Sequence, residues 1–248
     1  MAKLNDIKDF IVKLFNKDVL EKSQGDFAFK FDFEKEIKMI AYSTNLTLFT
    51  INTGASAGAD LLITHHDAWE FLGEQRDYCY KLLNDKKLNH CFIHTPLDAA
   101  EFGTSQSIAQ GLNLENKKFT AFYHGLLVGV AGDLKKMTFE ELVKRCEAVL
   151  CEKVRIFRNN SQNPSRILIV TGGGCETRFI DDAVNERCDT YITGEYNMYL
   201  QHYAEFRNVN LIIGSHTKTE IIGVRSLVNK ILTQFKDIKA FEIIEPSY

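Results

Sequence analysis

The hydrophobic and polar positions of the chain change repeatedly between two periods, which predicts an alternating series of helices and strands. Between Leu4 and Leu20 the apolar residues recur every three or four positions, as in a helix with one buried face. Between Phe27 and Phe33 every second residue is phenylalanine, which is the period of a half-buried strand. The chain therefore begins with a helix and continues into a strand.

Short apolar runs and helical periods follow in turn along the rest of the sequence. The further predicted strands are 38–42, 59–64, 91–94, 154–157, a run that begins at 166, 189–195, 211–213 and 241–244, with a strand or hairpin over 122–130. The predicted helices are 46–53, 78–83, 103–111, 138–150, 177–187 and 221–235, with a turn over 54–58. This alternation is typical of an α/β protein.

One strand pattern occurs twice. The run Ala59–Thr64 resembles Cys188–Thr193, and in both cases an earlier strand begins at a basic residue, Lys38 or Arg166. The repeat predicts two α/β domains of similar topology, with mixed sheets flanked by helices. We place them at 1–126 and 127–248, and we expect a cleft between them to hold the functional site.

The composition and charge of the chain say more about its possible binding partners than about its fold. The chain has 248 residues, 45% hydrophobic and 25% charged, and a net charge of −3, so it offers no basic surface that would favour nucleic acid. We find neither a secretory signal nor a membrane-spanning run, and the six cysteines form no C-x-x-C pair. These features favour a cytoplasmic protein with reduced thiols and a small-molecule substrate.

The side chains best suited to bind metal stand where strand 59–64 ends, in His65-His66-Asp67. Neighbouring side chains on a strand point to opposite sides, but at its end each histidine could bind one of two adjacent ions. A carboxylate such as Asp98 or Glu220 could bridge them. Imidazole and carboxylate ligands suit Zn, Mn, Fe or Co, and two such ions can activate a shared water for attack on a substrate.

The spacing therefore suggests a dinuclear site, whose ligands would be His65, His66, Asp98, His216 and Glu220. His216 and Glu220 stand four positions apart at the predicted entrance of a helix, where both side chains could reach one point. The histidine pair could equally be a capping cluster, and His216 and Glu220 could be a helix pair with no ligand role.

Three nearby features leave alternatives open. Gly172-Gly173-Gly174 could bring backbone amides to a phosphate, but without a phosphate-loop spacing a tight turn is favoured. His94 could contact a metal ligand and hold it in place without binding the metal itself, or it could simply end its strand. Trp69 could line the cleft, although packing is the favoured interpretation.

Four motifs together resemble the NIF-three-like (NGG-one-interacting factor three-like) family, also known as the second form of type-I GTP cyclohydrolase. They are Gly58–His66, His94–Ala100, Asp189–Glu195 and Gly214–Glu220, and they span most of the chain in the family's order. The resemblance implies two metal ions held by the five residues named above. It also implies that the two α/β domains are interlinked and that the chain forms a ring-shaped homohexamer with its metal sites facing an interior cavity.

The sequence departs from the family pattern at several places. Asp67 stands where the family usually has proline, and could add a carboxylate to the site. A Trp-Asp-Asn-Val-Gly-Leu-like segment has no counterpart near Gly25–Phe33, and Tyr196–Tyr199 replaces the family's basic and histidine positions. His94, Asp67 and Glu195 are thus candidates for supporting the ligands, and the substrate pocket is expected to differ.

The favoured function is a metal-dependent hydrolase of a small, nucleotide-like molecule, with a metal-activated water as nucleophile. The resemblance names GTP cyclohydrolase-like ring opening as the example. The alternative from another class is a non-catalytic metal-binding regulatory or scaffold protein that recruits a protein partner.

Overall fold

A computed structural model describes residues 2–15, 17–23 and 25–246 of the chain. The chain divides into two compact units: the first comprises the chain up to Leu97 and the segment from Val224 onward, and the second is Asp98–Gly223. This division differs from the predicted boundary at residue 126. Asp98 consequently belongs to the same unit as His216 and Glu220, whereas the prediction grouped it with His65 and His66.

The elements of the first part of the chain are β1 (Ala2–Lys3), α1 (Leu4–Phe15), α2 (Lys17–Lys22), β2 (Phe27–Lys30), β3 (Glu36–Ile37), β4 (Met39–Ser43), α3 (Leu48–Ser56), β5 (Leu61–Thr64), a 3-10 turn (Glu70–Leu72), α4 (Glu74–Asp85), β6 (Asn89–Ile93) and α5 (Thr95–Asp98).

The elements that follow are α6 (Thr104–Gly111), β7 (Glu115–Tyr123), β8 (Leu126–Asp133), α7 (Phe139–Leu150), β9 (Arg155–Phe157), β10 (Arg166–Val170), α8 (Arg178–Asn185), β11 (Thr190–Thr193), α9 (Met198–Phe206), β12 (Asn210–Ile213), α10 (His216–Gln234) and β13 (Lys239–Glu242). The alternation of strands and helices confirms the predicted α/β class.

The sheet of the first unit has the strand order β13-β4-β5-β6-β2. The first four strands run parallel, and β2 pairs antiparallel with β6 at the edge. The last strand of the chain thus joins the first unit, which is why this unit is discontinuous in sequence. Helices α3 and α4 contribute Ile51 and Leu83 to a core shared with Ala41 and Leu62 of the sheet.

The sheet of the second unit has the order β7-β8-β10-β11-β12-β9. Strands β10, β11 and β12 are parallel, and antiparallel strands flank them on both sides. Leu168 packs in one core cluster with α8 and α9, whereas its neighbours Ile167 and Ile169 pack in another with α6 and α7. Burial of both sheet faces explains why this strand is continuously apolar.

The two units repeat one hydrogen-bonding pattern, as the sequence repeat led us to expect. Asp60 Oδ2 accepts from the backbone amides of Lys38 and Met39 at 2.9 and 3.0 Å. Asp189 Oδ2 accepts from the amides of Ser165 and Arg166 at 2.8 and 3.3 Å. Each aspartate lies just before the second parallel strand of its unit and anchors the entry to the first.

Several predicted boundaries were wrong. Helix α3 begins at Leu48, later than predicted, because a capping box between Thr47 and Thr50 starts it, and it continues through Gly54 to Ser56. Helix α10 begins at His216 rather than at 221. Helix α9 was not predicted, since its exposed aromatic side chains obscure the helical period.

Across the described ranges, we find no helix with the length and apolar character needed to span a bilayer.

Candidate metal centre

His65 and His66 follow directly on the last residue of β5 in the first unit. Their backbone amides both donate to the carbonyl oxygen of Thr44, which follows β4, at 3.0 and 2.8 Å. Both residues are buried, His65 completely. The histidine pair is therefore held at the carboxyl ends of two adjacent parallel strands, where open α/β sheets place their ligands.

The ring orientation of each histidine follows from its hydrogen-bond partner. His65 Nδ1 lies 2.8 Å from the carbonyl oxygen of Ile93, and His66 Nδ1 lies 2.7 Å from Asn45 Oδ1. Because these oxygens can only accept, both Nδ1 atoms carry the proton in the neutral rings. Each Nε2 atom then keeps a lone pair, as a metal ligand requires.

His94 lies beside the pair, with its ring centroid 5.0 Å from that of His65 and 5.3 Å from that of His66. One potential ligand atom from each of the three histidines lies within 4.8 Å of the other two. His94 Nδ1 faces Asp26 Oδ1 at 3.4 Å. His94 therefore lies near enough to His65 and His66 to offer a ligand atom to a shared ion.

The second unit holds a histidine between two carboxylates. His216 Nε2 lies 3.1 Å from Glu220 Oε1, one helical turn further along α10, and His216 Nδ1 lies 2.6 Å from Glu195 Oε1. Glu195 comes from the loop after β11, so it orients the imidazole from the side opposite Glu220. A carboxylate behind a histidine is the usual way to fix a metal-binding ring.

The two carboxylates change the protonation of His216. Burial alone would lower its pKa, but hydrogen bonds and charge from Glu195 and Glu220 outweigh it and raise the pKa to about 10. The bond from His216 lowers the pKa of Glu195 against the opposing effect of burial. The two carboxylates therefore favour the protonated form of His216, and a metal ion that bound Nε2 would have to displace that proton.

Asp98, at the end of α5, is linked to the second unit's sheet through hydroxyl groups. Thr104 Oγ1 donates to Asp98 Oδ1 at 2.6 Å, and Thr171 Oγ1 donates to Thr104 Oγ1 at 2.7 Å. Thr171 follows β10 directly. The chain of hydroxyls therefore fixes one oxygen of Asp98 relative to the ends of the parallel strands.

Two of the three glycines after β10, Gly172 and Gly174, are required by close packing. Gly172 has φ +60, and a Cβ there would lie 1.9 Å from Glu220 Oε1 and 2.9 Å from His216 Nε2. A Cβ on Gly174 would lie 2.4 Å from Thr193 Oγ1. These contacts favour the interpretation as a tight turn, which brings backbone against the His216–Glu220 pair.

Asp67 uses its oxygens away from the histidines. Its Oδ2 accepts from Tyr80 Oη at 2.6 Å and lies 3.9 Å from Lys30 Nζ, and its Oδ1 accepts from the amide of Ala68 at 2.9 Å. Burial and the hydrogen bond to Asp67 raise the pKa of Tyr80 to about 12. The residue that replaces the family's proline thus ties the turn to α4.

Trp69, the single tryptophan, packs against the histidine cluster with its ring centroid 5.1 Å from that of His94 and 5.8 Å from that of Phe92.

Sequence reasoning missed the residues that hold the ligands. Asn45, Asp26 and Thr104 each contact a candidate ligand or His94. Asn45 could have been found, because it is the second residue after β4 just as His66 is the second residue after β5. Thr104 carries no local signal, since a threonine at the start of a helix ordinarily serves the helix end and not a ligand.

The donor chemistry of both units fits a divalent transition ion. The first unit offers neutral imidazole Nε2 atoms, and the second an imidazole next to carboxylates. Nitrogen and carboxylate donors suit Zn, Mn, Fe and Co, whereas Ca prefers oxygen alone.

Comparison with known proteins gives one family. The Duf34/NIF3 (NGG1p interacting factor 3) family matches residues 2–247. A relative from Pyrococcus horikoshii named "GTP cyclohydrolase 1 type 2 homolog" is 30% identical over 209 residues, 82% of each chain. One of the same name from Deinococcus radiodurans is 30% identical, over 81% of this chain and 78% of its own.

A solved structure has the same fold. The Bacillus cereus protein related to NIF3 superposes with a TM-score of 0.82 over 100% of this chain and 98% of its own, at 13% identity. The match over nearly the whole length and the two relatives lead to one conclusion: this chain is a member of the Duf34/NIF3 family.

Proposed function

We propose that the protein binds two divalent metal ions through His65, His66, Asp98, His216 and Glu220, and hydrolyses a small nucleotide-like molecule. The observation that carries the proposal is the preset state of the histidine pair, in which both Nδ1 atoms are held by oxygen acceptors. Such a pair has its Nε2 atoms ready for metal before any metal arrives. The names of the relatives favour a GTP cyclohydrolase-like reaction.

In this proposal, side chains of the chain bind the metal ions and orient one of the ligands. His65 and His66 supply neutral nitrogen ligands, Glu220 and Asp98 supply oxygen, and Glu195 orients His216. Bound ions of this kind supply Lewis acidity and lower the pKa of a nearby water. The half-buried Trp69 beside His94 offers an apolar wall for a planar substrate.

Metal content tests the binding part. We expect about two equivalents of Zn, Mn, Fe or Co per chain in protein as purified, and loss of both in a His65→Ala, Glu220→Ala double variant. His202→Ala is the matched control, because His202 is exposed on α9. Equal metal content in the double variant and the wild type would disprove this ligand assignment.

Turnover tests the catalytic part. The metal-loaded protein is assayed with each of the four ions against GTP and a panel of phosphoesters, with the double variant as the blank. We expect metal-dependent release of product from a nucleotide-like substrate. A folded, fully loaded protein that is inactive on the whole panel would count against the hydrolase.

The alternative is a metal-binding scaffold that recruits a protein partner. Helix α9 supports it, because Tyr199 and Phe206 expose 68% and 75% of their surface. Exposed aromatic side chains of this size are common at protein interfaces. If the double variant loses metal and keeps its binding partners, the enzyme is favoured over the scaffold.

We also propose that the chain forms a homo-oligomer, a hexamer by family resemblance, in the cytoplasm. The exposed side chains of α9 support self-association, and six free thiols support a reducing compartment. Sedimentation velocity measures the assembly, and a monomer at micromolar concentration would contradict it.

A further inference from the structure

The carboxylate of Glu245 lies against the turn that follows β4 in the first unit. Its Oε1 accepts from the backbone amides of Thr44 and Asn45 at 2.7 and 3.1 Å, and its Oε2 accepts from Asn45 Nδ2 at 2.7 Å. One side chain thus fixes both the backbone and the side-chain amide of Asn45. The contact joins residues 200 positions apart in sequence.

These bonds determine which way the Asn45 amide faces. An ionised carboxylate can only accept, so the NH2 group of Asn45 must point to Glu245. The oxygen of the same amide then points the other way, toward His66 Nδ1 at 2.7 Å. Reversing the amide would place its oxygen against a carboxylate oxygen.

The amide orientation in turn determines the tautomer of His66. The amide oxygen requires a proton on Nδ1, which leaves the lone pair on Nε2. His65 reaches the same state through the carbonyl of Ile93, which no side-chain substitution can reverse. The metal-binding state of His66 alone depends on side chains.

We propose that Glu245 is a positioning residue of the metal centre, which keeps His66 in its metal-binding tautomer through Asn45. The inference rests on the proposed function, since it takes His66 as a metal ligand. The peptide between Thr44 and Asn45 adds a second route, because its amide donates to Glu245 and its carbonyl accepts from the amides of His65 and His66.

The isosteric variant Glu245→Gln is expected to reverse the orientation of the Asn45 amide and the tautomer of His66. The glutamine oxygen is needed by the two backbone amides, so its NH2 group must face the Asn45 side chain. Two NH2 groups repel, and the Asn45 amide rotates to present its oxygen to Gln and its NH2 to His66. Nδ1 of His66 must then accept, and the proton moves to Nε2.

A compensating variant separates this mechanism from simple damage. In the Asn45→Asp, Glu245→Gln double variant, one Asp oxygen accepts from Gln and the other accepts from His66 Nδ1. The original tautomer is restored without the original residues. Asn45→Asp alone places two carboxylates in contact and is expected to bind metal less well than the double variant.

Two measurements on the full chain test the proposal. The tautomer of His66 is read from ¹⁵N chemical shifts of histidine-labelled, metal-free protein, with the signal assigned through His66→Gln. Affinity for Zn is measured by competition with a chelating dye. We expect Glu245→Gln to move the proton to Nε2 and weaken Zn binding about 10–100-fold, and the double variant to reverse both effects.

Glu242→Gln is the matched control. Glu242 also lies near the end of the chain but pairs with Arg225 at 2.8 Å, so neither the tautomer nor the Zn affinity should change. An unchanged tautomer or unchanged affinity in Glu245→Gln overturns the proposal, and so does failure of the double variant to recover. If wild-type protein binds no Zn while the tautomer shifts as stated, the proposed function fails and the positioning role of Glu245 stands.

Discussion

His90 is a fully buried histidine next to the turn that carries the candidate ligands His65 and His66. Thr64 Oγ1 donates to the carbonyl oxygen of His66 at 2.7 Å, so His90 Nε2 must donate to Thr64 Oγ1, 2.8 Å away. Its Nδ1 has no hydrogen-bond partner among the described residues. Burial, and to a smaller extent the charge of Lys30, lowers the pKa of His90 to about 3.

This pKa makes His90 a source of acid sensitivity. The unfolded chain takes up the proton near pH 6.5 and the folded protein only near 3, so stability is kept above 6.5 and falls between these values as the pH drops. The slope is at most about 1.4 kcal/mol per pH unit. We expect His90→Gln to lose less unfolding free energy between pH 7 and 4.5 in urea titrations, and equal losses would contradict this.

Gly172 is a second single-residue constraint. In Gly172→Ala the new methyl group would overlap Glu220 Oε1, and the left-handed backbone adds a cost of about 1–2 kcal/mol. We expect a clearly lower melting temperature and weaker Zn binding. Gly173→Ala is the control, because the nearest atom would lie at 3.8 Å, and a variant pair with the same melting temperature would refute the packing argument.

At the scale of elements, the aspartate before each unit's second parallel strand holds the entry to the first. Asp60 and Asp189 accept equivalent backbone hydrogen bonds in their two units. We therefore expect Asp60→Ala to speed hydrogen exchange at the amides of Lys38 and Met39. Asp189→Ala should do the same at the amide of Arg166. Loss of the hydrogen bonds to each aspartate should lower the free energy of unfolding by about 1–3 kcal/mol. Exchange that is unchanged at these amides would show that other contacts hold the strands.

Buried parallel strands were the elements that the sequence predicted well. Strands β5 and β10 contain the continuous apolar runs 61–63 and 167–170, because both faces of these strands are covered, and a run of this kind is visible locally. The start of α10 was misplaced because its first turn is polar, although Ser215 caps it through a bond to the amide of Lys218 at 3.2 Å.

The pairing of β13 with β4 had no such local signal. It joins Lys239 to Met39, and neither strand's sequence specifies the other as its neighbour. The same limit applied to the candidate site. Histidines at strand ends could be predicted, but the pairing of His65 with Ile93 and of His66 with Asn45 could not, since these contacts depend on which strands lie side by side.

At the scale of the whole molecule, metal should act as a stabilising ligand. An ion that binds only the folded chain adds about 2.7 kcal/mol at a free concentration 100 times its Kd. We expect EDTA to lower the melting temperature and Zn or Mn to restore it. His65→Ala, Glu220→Ala should show neither response while His202→Ala shows both, and a chelator response in the double variant would place the metal elsewhere.

The Glu245 contact also has a consequence for the order of events on the ribosome. The residues of the second unit are continuous, so Asp98–Gly223 is synthesised in full before the closing segment of the first unit emerges. Until Lys239–Glu242 is made, β4 is an open sheet edge, and Asn45 lacks its carboxylate partner. Metal loading at His66 should therefore be one of the last steps in the maturation of the nascent chain.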